Sequence, residues 1–178
     1  LLKLLNLNFK NFNVKDVKFK SKNNFTLEID NKLKINNFTI NSNLEIAQLK
    51  YERPEIVQSY ISNTNDFILL EDHKLNLNYK KNNLIVSGEG KIQLDEEKSK
   101  IKYSINKNNE NLDIKTELLI SNINLKKQDF LKTIFPKMGE TINFSNQKIK
   151  IDYKNKDLFI SGSGKFKVHK DYDEIDYF

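Results

Sequence analysis

Few residues in this sequence could carry chemistry. The chain has two histidines, His73 and His169, and no cysteine. Neither histidine has a second histidine four residues away, as a zinc-binding helix would, and there is no thiol nucleophile or cysteine ligand. We therefore predict that each histidine is a turn residue at the start or end of a strand. We predict no metal site and no cofactor.

An acidic run offers a second candidate site. Asp171, Asp173, Glu174 and Asp176 are spaced like part of a calcium loop, but the glycine of its sharp turn is missing. A solvated turn leading into a strand is the simpler interpretation. No serine lies in a nucleophile elbow, and no acid is placed beside a base. The sequence thus predicts no catalytic residue and no enzyme.

A Ser-Gly-x-Gly-Lys segment occurs twice, with Gly88 and Gly90 in one copy and Gly162 and Gly164 in the other. By strand alternation these glycines share a face with the apolar residues around them. A phosphate-binding loop would need a helix after its glycines, and here the strand pattern continues. One interpretation is a bend, a β-bulge or a close backbone approach. The other is that the missing side chains widen a groove for an acyl chain.

These residues must be positioned by β-strands, because alternation with a period of two dominates the chain. Leu75, Leu77 and Tyr79 alternate with polar residues, as do Ile101 and Tyr103. Pairs of asparagine and lysine between such runs suit tight turns. The pattern predicts a mainly β fold: an antiparallel repeating meander, apolar on one face, that forms a curved, groove-like sheet.

Two stretches have helical spacing instead. Apolar residues recur at that spacing in 54–61, which begins with a proline, and in 129–135, which ends before another. Each predicts one short helix that caps an open end of the sheet.

The two predicted helices are 74 residues apart, and the segments around them repeat with the same period. Two pairs of segments match without a gap: 74–80 with 148–154, and 84–92 with 158–166. We predict a first β-repeat at 44–117 and a second, truncated copy at 118–178. Residues 1–43 are expected to be the tail of a preceding repeat, and the chain a fragment of a longer array.

The net charge of +6 suggests nucleic acid as a partner. However, Arg53 is the only arginine, and the lysines alternate along the strands among acidic residues. Such a pattern supplies few base-reading groups, so we predict no nucleic-acid partner. No apolar run approaches the roughly 20 residues that cross a bilayer. Membrane contact is therefore expected through parts outside this sequence.

The repeated unit resembles the AsmA-like superfamily of bacterial envelope proteins, and within it the YhdP-type and TamB-type members. The resemblance covers 44–178 best. It is carried by Lys-Leu-x-Leu-x-Tyr from Lys74, by Leu-x-[Val/Ile]-Ser-Gly-x-Gly-Lys from Leu84 and Leu158, and by Ile-x-Tyr from Ile101. It implies a periplasmic protein of a diderm cell, anchored in the inner membrane through a segment outside this sequence. It also implies curved sheets that form a long apolar groove for phospholipids. A second resemblance is to lipopolysaccharide-transport proteins of the jellyroll type.

We therefore predict a non-enzymatic segment that acts in intermembrane phospholipid transport or outer-membrane lipid homeostasis. Its expected partners are a phospholipid or other acyl-chain lipid and further repeats of the same longer chain. Ten residues are expected to line the groove: Leu84, Val86, Gly88, Gly90, Ile92, Leu158, Ile160, Gly162, Gly164 and Phe166. The competing predictions are a structural or interaction β-repeat of the cell envelope, with inward residues packed on one another, and a lipopolysaccharide-transport-like jellyroll module.

Overall fold

The structure of the chain, a computed structural model, describes residues 14–62, 65–109, 111–129, 133, 139–167 and 172–178. Within these ranges nine strands and one short helix follow one another. In chain order they are β1 (Val14–Ile29), β2 (Ile35–Glu52), α1 (Glu55–Tyr60), β3 (Phe67–Lys80), β4 (Asn83–Gln93), β5 (Lys98–Asn108), β6 (Asn111–Lys126), β7 (Thr141–Lys154), β8 (Asp157–Lys167) and β9 (Tyr172–Tyr177).

The strands form a single sheet in the order of the sequence. Each strand pairs antiparallel with the next, and among the described residues β1 and β9 are the two edges of an open sheet. The predicted mainly β, antiparallel meander is therefore confirmed. Tight turns make it possible: Lys81 and Asn82 join β3 to β4 with φ values of 48° and 64°. Two positive φ values match a type I′ hairpin, whose twist suits antiparallel strands.

The sheet has two chemically different faces. Residues that lie directly opposite one another across seven strands define the apolar face: Ser42, Leu77, Val86, Ile105, Ile114, Tyr153 and Leu158. The residues next to them in the chain define the polar face: Asn43, Asn76, Ser87, Ser104, Lys115, Asp152 and Phe159. Apart from Ser42 and Phe159, alternation along each strand thus places the apolar side chains on one face and the polar side chains on the other.

The apolar face is curved inwards. Ile40, Tyr79 and Leu84 form a cluster with exposed fractions of only 3%, 9% and 7%. No other described element packs over them, because the helix contacts only β6. Phe38, Leu77 and Val86 of the same sheet pack against this cluster, as neighbouring strands do where a sheet curls towards its apolar face.

Helix α1 covers the opposite end of the apolar face. Val57 and Ile61 pack in one cluster with Ile120 and Ile123 of β6. The Ser62 amide donates a hydrogen bond to the Asn124 carbonyl oxygen at 3.1 Å. The segment after β2 therefore crosses over to β6 before it returns to β3, which confirms the helix predicted at 54–61. Most of the helix predicted at 129–135 lies outside the described residues.

Arg53 and Asp95 fasten this crossing, and both are buried. The guanidinium Nη2 of Arg53 donates to the Leu94 carbonyl oxygen at 2.8 Å, just after β4. The Asp95 carboxylate accepts a hydrogen bond from the Asn124 amide at 2.8 Å. These hydrogen bonds hold the connection between β2 and β3 against the ends of β4 and β6. They also satisfy the buried charged groups, which need hydrogen-bond partners.

The 74-residue period is visible in the strands themselves. β7 begins and ends 74 residues after β3, and β8 does so after β4. Even a rare backbone conformation recurs, since Asp72 has a φ of 53° and Asn146 a φ of 52°. Residues 44 and 118, where the repeats were expected to begin, lie inside β2 and β6. The units therefore join within continuous strands of one sheet.

Candidate functional site

The glycine strands β4 and β8 each lie opposite a β-bulge. In β3, Glu71 pairs with Lys91 and Lys74 with Glu89, so two residues stand opposite the single Gly90. These two residues are Asp72 and His73. The first residue of such a bulge adopts a left-handed conformation that aspartate and asparagine tolerate. β7 has the same bulge at Asn146 and Gln147, opposite Gly164. The bulge thus lies in the strand next to the glycine motif, opposite one glycine of each pair.

His73 is the most buried large side chain in the described part of the chain, with 1% exposed. The prediction that it is a turn residue was wrong, because it lies in the middle of β3. The bulge turns its side chain onto the apolar face. Its Nε2 is 2.9 Å from the Lys91 carbonyl oxygen, so Nε2 carries the proton. His169 lies outside the described residues.

Gln147 takes the place of His73 in the second copy. Its Nε2 donates to the carbonyl oxygens of Lys165 at 2.9 Å and Ser145 at 3.1 Å. Its Oε1 accepts a hydrogen bond from the Tyr177 hydroxyl at 3.2 Å. Lys165 is the counterpart of Lys91, so an amide and an imidazole make the same hydrogen bond across the same bulge.

Gly90 and Gly164 make room for these bulge side chains. A Cβ atom on Gly90 would lie 2.8 Å from the Cα atom of His73, and on Gly164 it would overlap the amide of Gln147. The other two glycines lie under tyrosines. A Cβ atom would be 2.7 Å from Cζ of Tyr103 on Gly88, and 2.6 Å from Cζ of Tyr177 on Gly162.

The expectation that the four glycines deepen a groove was therefore wrong. The space above them is filled by His73, Tyr103, Gln147 and Tyr177. Such packing of an aromatic ring over a strand glycine stabilises sheets. Burial raises the pKa of the hydroxyl groups of both Tyr103 and Tyr177.

The other expected groove residues all belong to the apolar face, but their exposure differs between the copies. In the first copy Leu84 and Ile92 are buried and Val86 is half-buried. In the second copy Leu158 is 59% exposed and Ile160 is 45% exposed, while Phe166 is half-buried. The apolar face is thus covered near β4 and open towards β8.

The polar face carries charges of both signs. Lys91 donates a hydrogen bond of 2.7 Å to Asp72, and this hydrogen bond, with the positive charge of Lys91, lowers the pKa of Asp72. Lys98 and Glu71 form a second ion pair at 2.7 Å. Shallow depressions on this face are lined by lysines and glutamates together with uncharged residues, among them the exposed Leu119.

The acidic run near residue 173 does not form a turn. Asp173, Glu174 and Asp176 lie in β9, and residue 171 is not described. Within the described ranges, no group of three histidine, aspartate or glutamate side chains could hold a metal ion. The helical part of those ranges contains no segment long and apolar enough to span a membrane.

Sequence reasoning missed the bulge residues, although the sequence contains a signal for them. In β3 and β7 every second residue faces inwards, except at the bulge, where the next inward residue comes three positions later. Leu70 is thus followed by His73, and Phe144 by Gln147. The two shifts are 74 residues apart.

Comparisons of the chain with protein-family models, curated proteins and solved structures found no match.

The equivalence of His73 and Gln147 gives a direct prediction. His73→Gln should change the free energy of unfolding by less than about 1 kcal/mol, because glutamine already makes this hydrogen bond in β7. His73→Leu should lose about 1–3 kcal/mol, because the Lys91 carbonyl oxygen would lose its donor. Urea unfolding followed by circular dichroism measures both. Equal stability of the two variants would show that the hydrogen bond does not hold the bulge.

Proposed function

We propose that this chain is a non-enzymatic lipid-binding segment whose apolar face holds the acyl chains of a phospholipid. The observation that carries the proposal is the single-layer sheet, apolar on one face from β2 to β8 and covered by helix only at one end. A chain of this composition has no other element in its described part with which to cover that face. Large open apolar surfaces of soluble proteins usually mark a binding site.

The dimensions of the apolar face support an elongated apolar ligand. Seven strands at about 4.8 Å spacing place Ser42 and Leu158 about 29 Å apart along the sheet. One leaflet of a bilayer core is about 15 Å deep, so an extended acyl chain fits along this line. Each methylene group transferred from water contributes about 0.8 kcal/mol. A linear chain therefore gains more from this face than a compact ligand does.

The open part of the face also supports exchange of the ligand. Leu158 and Ile160 of β8, and Phe19 and Phe25 of β1, are each about half exposed or more. An acyl chain could enter sideways there without displacing a second protein layer. We place this activity in an AsmA-like envelope protein on the periplasmic side of the inner membrane. There it would serve intermembrane phospholipid transport or outer-membrane lipid homeostasis.

A structural β-repeat of the cell envelope is the second candidate. It is favoured by the filled space above the four glycines and by the buried cluster of Ile40, Tyr79 and Leu84. A scaffold of this kind would keep its apolar face closed and would bind no lipid. A third candidate is a lipopolysaccharide-transport-like module, in which the same apolar face would bind lipopolysaccharide in place of phospholipid.

Native mass spectrometry separates these candidates. The purified chain is mixed with phosphatidylethanolamine or with lipid A, each in a mild detergent that is removed in the instrument. We expect adducts with phosphatidylethanolamine that saturate. A chain that stays lipid-free at saturating lipid would support the scaffold, and adducts with lipid A alone would support lipopolysaccharide as the cargo.

A further inference from the structure

The hairpin between β1 and β2 presents an apolar side chain at its tip. Leu33 is 85% exposed, and the two residues beside it, Lys32 and Lys34, are exposed as well. Ile29 and Ile35 lie opposite each other where β1 ends and β2 begins, and each is more than half exposed. The tip is therefore an apolar projection with basic residues beside it, whereas most turns are polar.

The backbone holds Leu33 in a conformation that leucine disfavours. Its φ is 60°, and in the described part of the chain the other residues with a positive φ are aspartate, asparagine or lysine. Asp30 fixes this turn, because its Oδ1 accepts hydrogen bonds from the backbone amides of Lys32 at 2.8 Å and Lys34 at 2.9 Å. Asparagine would suit position 33 better. A strained residue in such a well-defined turn points to a function for its side chain.

Basic residues of the neighbouring hairpin add to the charge of the tip. Ile35 and Lys81 line the same shallow depression, so the turn between β3 and β4 lies beside the tip. Residues 30–34 and 80–82 together contain four lysines and one aspartate. An anionic lipid surface fits this combination, because it attracts lysines electrostatically and its interface accepts apolar side chains.

We propose that the β1–β2 hairpin is a membrane-contact site that binds the surface of anionic phospholipid bilayers. Leu33 would enter the apolar boundary of the bilayer, while the ammonium groups of Lys32 and Lys34 stay among the lipid phosphates. This contact is in addition to the one expected through parts outside this sequence. It does not depend on the binding of an acyl chain by the apolar face.

Tryptophan fluorescence tests the contact, because the chain has no tryptophan of its own. In the Leu33→Trp variant the emission should shift to shorter wavelength when vesicles of phosphatidylglycerol and phosphatidylcholine are added. The shift should become smaller as salt is raised, because salt screens the lysines. The Phe159→Trp variant, on the polar face, should show no shift. No shift at position 33, equal shifts at both positions, or an equal shift at position 33 with phosphatidylcholine vesicles alone would overturn the proposal.

Leu33→Asn separates membrane binding from folding. Asparagine tolerates the positive φ, so this variant should unfold at the same or a higher urea concentration than the original chain. Its affinity for the mixed vesicles, measured by sedimentation, should fall about fivefold or more, because the apolar side chain is lost. Ile160→Asn makes the same kind of change on the apolar face and should leave vesicle affinity within about twofold of the original. Unchanged affinity of Leu33→Asn, or an equal loss with Ile160→Asn, would overturn the proposal.

Discussion

Gly90→Ala is expected to lower the free energy of unfolding by about 1–3 kcal/mol, although it adds only one methyl group. The reason is the β-bulge of β3. A Cβ atom on Gly90 would lie 2.8 Å from the backbone Cα of His73, so a side-chain rotation cannot relieve the overlap. The bulge would have to move or open. Urea unfolding followed by circular dichroism measures the loss.

The other glycines provide graded controls for this prediction. Gly162→Ala should be similarly costly, because its Cβ atom would lie 2.6 Å from the Lys148 carbonyl oxygen. Gly88→Ala should cost less, because its Cβ atom meets the end of the Tyr103 side chain, which can shift. Gly164→Ala should be as costly as Gly90→Ala, because it would displace the buried amide of Gln147 from its hydrogen bonds. Gly139→Ala should be neutral, since its nearest neighbour would be 4.0 Å away. Equal losses at all five glycines would contradict the packing described above.

Ile160→Glu is expected to weaken phospholipid binding about tenfold or more while leaving the fold intact. Ile160 lies on the apolar face of β8 and is 45% exposed, so a glutamate there can be accommodated without burying its charge in the free protein. A bound acyl chain would cover the carboxylate, which costs several kcal/mol, and about 1.4 kcal/mol is already tenfold in affinity. Titration of a fluorescent phospholipid measures the change.

The neighbouring residue gives a matched control. Phe159 lies on the polar face and is 65% exposed, so Phe159→Glu adds the same charge one position away. It should leave phospholipid affinity within about twofold of the original. Equal loss with both variants would point to a general electrostatic effect instead of an acyl-chain site on one face.

Much of the fold could be predicted because strand alternation is a local property. Tyr79 and Val86 show their phase within a few residues, and the Lys81-Asn82 turn is typical of a hairpin. The repeat then fixes the second half, as β7 and β8 show. Local patterns of this kind are consistent with the final sheet, which is why they predict it well.

The candidate site was harder to predict because it depends on contacts between strands. Nothing in the sequence near Gly90 states that His73, 17 residues earlier, will fill the space above it. A bulge shifts the register by one residue, and that shift decides which side chain reaches which glycine. The glycines were therefore assigned to the correct face, but the filling of their space was not foreseen.

Photocrosslinking tests the central claim most directly, since it shows where an acyl chain lies on the sheet. The intact chain is irradiated with phosphatidylethanolamine that carries a diazirine in its acyl chain, and labelled residues are identified by mass spectrometry. We expect saturable labels on neighbouring apolar-face residues, above all Ile105, Ile114, Tyr153 and Leu158. Labels on the polar-face residues Ser104, Lys115, Asp152 and Phe159, or no saturable label, would contradict the account.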